Sequence, residues 1–138
     1  MPPIRWSDDY SIENRRLDDH HKLFFELFKS LHAGISDVNS TEDINGILVK
    51  LGDYAAAHFT YEEIYMLDIS YNRLKEHRAQ HDIFKAKIKE FDRLKGNISR
   101  EMKLQLVDFL QKWMQGHIVE EDKRLAEWKE KLQRTPNS

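Results

Sequence analysis

Apolar residues recur at spacings of three and four along four long stretches of the chain, the period of an α-helix that buries one face. The first stretch runs from about Asp19 to Gly34, with Leu23, Phe24, Leu27, Phe28 and Leu31 as its stripe. The second begins near Thr41, after a capping box of Ser40 and Asp43, and reaches about Met66 through Ile44, Leu48, Leu51, Tyr54, Ala55 and His58. The third takes Ser70 as its N-cap and stops before Gly96, carrying Leu74, His77, His81, Phe84, Ile88 and Phe91. The fourth starts after Ser99 and carries Met102, Leu106, Phe109, Leu110, Trp113 and His117. Past Gly116 the pattern changes, and a last helical stretch is expected around Leu125 to Leu132. No period-2 alternation is sustained, and the three prolines stand at positions 2, 3 and 136, so nothing breaks a helix in the interior. The pattern predicts an all-α protein, an antiparallel up-down-up-down four-helix bundle. An N-terminal arm containing Trp6 and Tyr10 is expected to pack across it, a short C-terminal helix to close it, and the tail from Thr135 to fray.

The 138 residues suit one domain with a core of its own, and 40% hydrophobic with 11% aromatic residues is too apolar for a disordered segment. A net charge of −2, from 22 basic and 24 acidic side chains mixed along the length, leaves no basic face for nucleic acid. No run of eighteen apolar residues exists and the start MPPIRWSDDY is unlike a signal peptide, so no membrane insertion and a cytoplasmic location are expected. The absence of cysteine removes disulfides, thiolate zinc sites, iron–sulfur clusters and cysteine nucleophiles, leaving nitrogen and oxygen as the only metal donors.

Histidines occupy stripe positions where Leu or Ile would be expected. His58 and Glu62 are four apart, as are His77 and His81, so each pair leaves one face of its helix and can clamp one ion. His21 lies one turn before Phe24 and Phe25, and His117 one turn after Trp113, so every helix delivers an imidazole inward. Each pair alone arises often by chance, and a lone histidine on an apolar face is more often a hydrogen-bonded core residue. Five imidazoles and two carboxylates together in one core would carry a large desolvation penalty that metal removes. Asp122 fits this set only if the helix is interrupted, because five residues at 100° leave it roughly 140° from His117 on an ideal helix. Gly116 is where such a break is expected.

These donors are too many for one tetrahedral zinc, so two ions are implied. Two six-coordinate ions have about twelve positions; the seven side chains fill about nine and a bridging oxygen about two more, leaving one open. Iron is expected ahead of manganese and zinc.

The segments DDHHKLF at 18–24, HFTYEEIYM at 58–66, HRAQH at 77–81 and WMQGHIVEED at 113–122 resemble the hemerythrins, in particular the bacterial single-domain branch, over nearly the whole chain from Trp6 to about Trp128. One departure is Asn72 after Tyr71, where many relatives have proline. Length and pattern together give one domain over 1–138, with the arm at 1–17, the bundle at about 18–120 and the C-terminal helix at about 121–133. The resemblance implies a di-iron centre with an oxo or hydroxo bridge that binds dioxygen reversibly, with His21, His58, Glu62, His77, His81, His117 and Asp122 as ligands. Glu62 and Asp122 would bridge, His77, His81 and His117 would hold the saturated iron, and His21 and His58 the iron with the open position. Met114 and Ile118, beside His117, would form the apolar wall of the oxygen pocket. His20 would be a surface residue or an outer neighbour of the site. Glu63 and Glu121 would be solvated neighbours, His32 a surface residue, and Trp6, Tyr10 and Trp113 packing residues.

The expected role is that of an oxygen carrier, store or delivery protein rather than an enzyme, served by a separate electron-donor or oxygen-accepting protein. A di-iron peroxidase or oxidase is the alternative, with Tyr61 and Tyr65 as its candidate proton donors. An oxygen or iron sensor on the same scaffold is a further one.

Overall fold

A computed structural model of the chain describes residues 6–7, 11, 14–36, 44–94 and 97–134. In chain order it contains α1 (Arg15–Ser36), α2 (Ile44–Asp68), α3 (Leu74–Arg93), α4 (Arg100–Trp113), a π-helical segment (Met114–Glu121) and α5 (Asp122–Arg134). The four long helices form the expected bundle, and the described residues include no strand. No helix among them is long and apolar enough to cross a membrane. The expected capping box at Ser40 and Asp43, Tyr10, and the tail from Thr135 lie outside the described residues.

Local chemistry sets the helix ends. α1 begins earlier than the apolar pattern indicates because Asn14 caps it: the side-chain oxygen of Asn14 accepts from the Leu17 amide at 3.1 Å and its carbonyl from the Asp18 amide at 2.8 Å. Ser99 caps α4, accepting from the Met102 amide at 3.2 Å, as its sequence position suggests. Ser70 does not cap α3, which starts at Leu74 after Arg73. It ends α2 instead, with a left-handed φ of 52°. The Tyr71 amide reaches back to the Met66 carbonyl (2.9 Å) and the Ser70 amide to that of Leu67 (3.1 Å), the paired bonds of a Schellman motif. The apolar contact that accompanies such a motif is present, since Met66 and Tyr71 are buried in one cluster with Leu125.

The main core is aromatic at its centre. Phe84 is fully buried and meets Phe24, Tyr54, Phe59 and Trp113 with ring centroids 4.8–6.2 Å apart. Leu23, placed in the α1 stripe from its spacing, is 49% exposed. The inward face of α1 is set by Leu17, His21, Phe24, Phe28 and Leu31, and one residue earlier than Phe24 turns Leu23 about 100° away. Trp6 of the arm packs edge-on against Phe25 at 5.9 Å. α5 is fastened where the Trp128 indole donates to the Ile69 carbonyl at 2.9 Å, beside the smaller cluster of Met66, Tyr71 and Leu125.

Candidate metal centre

Seven polar side chains lie in this apolar bundle, each 2% exposed or less: His21 from α1, His58 and Glu62 from α2, His77 and His81 from α3, His117 from the π segment and Asp122 at the start of α5. They are the seven residues expected as ligands, six from their places on the helical stripes and Asp122 on condition of a break in the helix, and the structure brings all of them together. His32 stands apart against Phe28.

The donor atoms fall into two sets. Glu62, His77, His81 and His117 offer atoms within 4.8 Å of one another, and so do His21, His58, Glu62 and Asp122. Each carboxylate faces both sets with different oxygens. Glu62 Oε1 is 2.5 Å from His77 Nε2 and 3.0 Å from His81 Nε2, while its Oε2 faces His58 Nε2 at 3.4 Å. Asp122 Oδ1 is 3.0 Å from His77 Nε2, and its Oδ2 is 2.9 Å from His21 Nε2.

The π segment makes this possible. The Asp122 amide donates to the carbonyl of His117, five residues back, so the turn holds one residue more than an α-turn. That wider turn brings His117 and Asp122 to one face, which an ideal α-helix would not. Gly116 is not what forces it: a side chain there would meet nothing within 4 Å, and its φ is not in the left-handed range.

Several of these inward-facing atoms are aimed but not satisfied. His21 Nε2, His58 Nε2, Glu62 Oε2 and both oxygens of Asp122 are buried without a hydrogen-bond partner, although His21 lies 2.9 Å from Asp122 and His58 3.4 Å from Glu62. Buried polar groups left so cost several kcal/mol together, of order 1–3 each. Ring nitrogens and carboxylate oxygens converging from four helices, several of them without a hydrogen-bond partner, are what a cation needs, so these residues fit metal.

Protonation in the metal-free chain follows the same geometry. Burial opposes charge on His77, but the carboxylates of Asp122 and Glu62 close against its ring outweigh it and push it up to about 10. Burial opposes charge on His21 too, and Asp122 overcomes it, raising that histidine. For His117 burial dominates and the ring falls to about 4, and burial likewise lowers His58. Burial works against ionised Glu62 and Asp122, yet the surrounding imidazoles hold both below the usual carboxylate range. The two raised histidines, His21 and His77, are the two whose Nε2 lies about 3 Å from Asp122.

Behind these seven residues lies a ring of supporting side chains, of which the apolar pattern signals neither Gln80 nor the engagement of Glu63. Gln80 Oε1 is 2.6 Å from His117 Nδ1, Glu63 Oε2 is 3.0 Å from His81 Nδ1, and His20 Nδ1 is 2.9 Å from His58 Nδ1. Glu63, expected to be merely solvated, is thus engaged, and Arg78 Nε holds its other oxygen at 3.0 Å. Glu121 ties the π segment to the start of α3 through Arg73 at 3.8 Å. Flat aromatic faces fix the imidazole planes: Phe59 stacks on His81 at 4.0 Å, Trp113 on His117 at 4.1 Å and Tyr54 on His58 at 5.0 Å. The tyrosines against the cluster are Tyr54 and Tyr71, not Tyr61 and Tyr65; Tyr61 reaches only the outer ring of His20. Burial raises the Tyr54 phenol well above its ordinary value and that of Tyr71 to about 12.

A family profile described as the hemerythrin HHE cation binding domain matches residues 13–128. The chain belongs to the hemerythrin family. Among curated hemerythrins it is 29% identical to a bacteriohemerythrin of Clostridium acetobutylicum over 122 residues, 86% of this chain and 95% of that one. It is 26% identical to a bacteriohemerythrin of Pseudomonas aeruginosa, covering 88% of this chain and 78% of the relative. A myohemerythrin of Phascolopsis gouldii shares 28% over 120 residues, 87% of this chain and 89% of its own. A crystal structure of a hemerythrin mutant superposes with a TM-score of 0.75 at 24% identity, covering 92% of this chain and 97% of the other, which establishes the shared bundle fold.

Proposed function

We propose that this hemerythrin binds dioxygen reversibly at two non-haem iron ions held between its helices, acting as an oxygen carrier, store or delivery protein. The observation that carries the reading is the division of seven buried donors into two sets that share Glu62. His77, His81 and His117 would hold one ion and His21 and His58 the other, with Glu62 and Asp122 spanning both. When bound there, two irons with an oxo or hydroxo bridge would supply the electrons and the open position that reversible oxygen binding needs. The unequal count of imidazoles, three against two, supports placing that position on the side of His21 and His58.

The chain's own part is to orient and to exclude water. Gln80 and Glu63 accept the Nδ1 hydrogens of His117 and His81 and so leave Nε2 free to face the cluster. Met114 and Ile118, fully buried on either side of His117, are proposed as the apolar wall that keeps water from the oxygen site. The same reading places the protein in the cytoplasm, with a separate oxygen acceptor or electron donor as partner.

Anaerobic reduction followed by oxygen titration, with visible absorbance and iron per chain recorded together, tests the proposal. A charge-transfer band that appears with oxygen at about two irons per chain and vanishes on deoxygenation is the expected result. A centre that oxidises once and stays oxidised would favour the peroxidase, oxidase or sensor readings. The phenols packed on the cluster argue against the enzyme readings, since burial makes Tyr54 and Tyr71 poorer proton donors than free tyrosine.

A further inference from the structure

His20 precedes a proposed ligand in sequence, yet its side chain turns away from the two donor sets. It is half-buried on the wall of an apolar cleft of about 290 Å³ between α1 and α2, with Leu23, Leu27, Tyr54, Ala57 and His58 around it. Its Nδ1 lies 2.9 Å from Nδ1 of His58. Two ring nitrogens at that distance share one hydrogen, so one donates and the other accepts.

The direction follows from the other end of the His58 ring. His58 Nε2 faces Glu62 Oε2 at 3.4 Å without making a hydrogen bond, and it belongs to the second donor set. A neutral imidazole can offer Nε2 to a metal only when its hydrogen sits on Nδ1. His58 therefore donates through Nδ1 and His20 accepts, carrying its own hydrogen on Nε2. The His20 ring is held for this: it sits edge-on to Tyr61 at 5.9 Å, and the Arg16 guanidinium lies over the Tyr61 ring at 4.5 Å.

We propose that His20 is a positioning residue of the metal centre, accepting the Nδ1 hydrogen of His58 and so fixing the tautomer and plane in which His58 meets the ion of the two-histidine set. This rests on the ligand assignment above. His20 completes a graded series of acceptors along the centre: a carboxylate behind His81, an amide behind His117 and a neutral imidazole behind His58. The Nδ1 atoms of His21 and His77 have no hydrogen-bond partner. On the two-histidine side, His20 is thus the acceptor that orients an imidazole.

The test compares His20→Phe, His20→Gln and the unaltered chain, each loaded anaerobically with Co(II) alone. Affinities are read by chelator competition and ligand geometry by the visible d–d bands. His20→Phe is expected to weaken one of two bound ions by roughly tenfold or more, leave the other unchanged and alter the bands. His20→Gln is expected to restore both readings, because an amide oxygen accepts from His58 as Gln80 accepts from His117. The thermal midpoint of the metal-free chain should stay in place in both variants, whereas a purely structural role would move it. Unaltered cobalt binding in His20→Phe, or failure of His20→Gln to rescue it, would overturn the proposal while leaving the ligand assignment standing. Fewer than two ions bound by the unaltered chain would overturn the ligand assignment, and the proposal with it.

Discussion

Glu63 Oε2 lies 3.0 Å from Nδ1 of His81, on the ring edge opposite the nitrogen that faces Glu62. A carboxylate in that position draws the imidazole hydrogen toward itself and makes Nε2 a stronger donor. Glu63→Gln keeps an acceptor but removes the charge. Ferrous affinity should fall by roughly tenfold, the lower end of what loss of such partners costs, as read by competition with a chelator. An unchanged affinity would mean that Glu63 serves only its ion pair with Arg78.

Glu62 belongs to both donor sets, whereas His21 belongs to one. Glu62→Gln should therefore leave little iron on the chain at all, and His21→Ala should leave about one ion in place of two. Metal analysis after gel filtration distinguishes the cases. Two ions retained by Glu62→Gln would refute the shared carboxylate.

In the metal-free chain His77 is raised from 6.5 to about 10. Its contribution to stability is complete below pH 6.5 and is lost as pH rises through about 10. Glu62 and Asp122 are lowered, so theirs is present above the usual carboxylate range and lost on acidification. Metal must displace the His77 proton. The melting-temperature gap between loaded and metal-free protein should thus widen from pH 7 to 10, and loading at pH 7 should release protons to an indicator dye. A gap that narrows over that range would contradict the assignment of His77.

Ser70 pays a steric cost in its left-handed conformation, about 1–2 kcal/mol for a residue with a Cβ. Ser70→Gly should relieve part of it and raise stability by about 0.5–1 kcal/mol, since glycine also gains freedom in the unfolded chain. Urea denaturation of the metal-free protein measures this, and a lower midpoint would mean that the Ser70 side chain contributes something its backbone geometry does not reveal.

The bundle and six of its seven buried polar residues were legible in the sequence because they obey the 3.6-residue period: His58 with Glu62 and His77 with His81 fall where apolar residues would. Asp122 was legible as a residue but not as geometry, because an ideal α-helix turns it away from His117 and the sequence does not announce a five-residue hydrogen bond. Gln80 and the engagement of Glu63 were hidden for another reason, and the same reason left His20 undecided between the surface and the outer edge of the site. They flank the stripes rather than sit in them, at positions that sequence alone cannot tell from the solvated face. Their one signal was adjacency, since each lies next to a donor in the chain: Gln80 before His81, Glu63 after Glu62, His20 before His21. Ser70 was misread because a serine between two helices suits either end, and only the left-handed φ decides which.

The π segment also fixes how the chain can vary in length. It is an α-helix carrying one residue too many, so removing the exposed Glu120 would leave the aspartate four residues after His117, a spacing that shares a face on a straight helix. The bulge would vanish while α5, its carboxylate and Trp128 kept their register. One residue gained at the same place has no such outlet and would swing all three off the bundle. Length change is therefore one-sided here: between His117 and Asp122 the chain can afford a deletion but not an insertion.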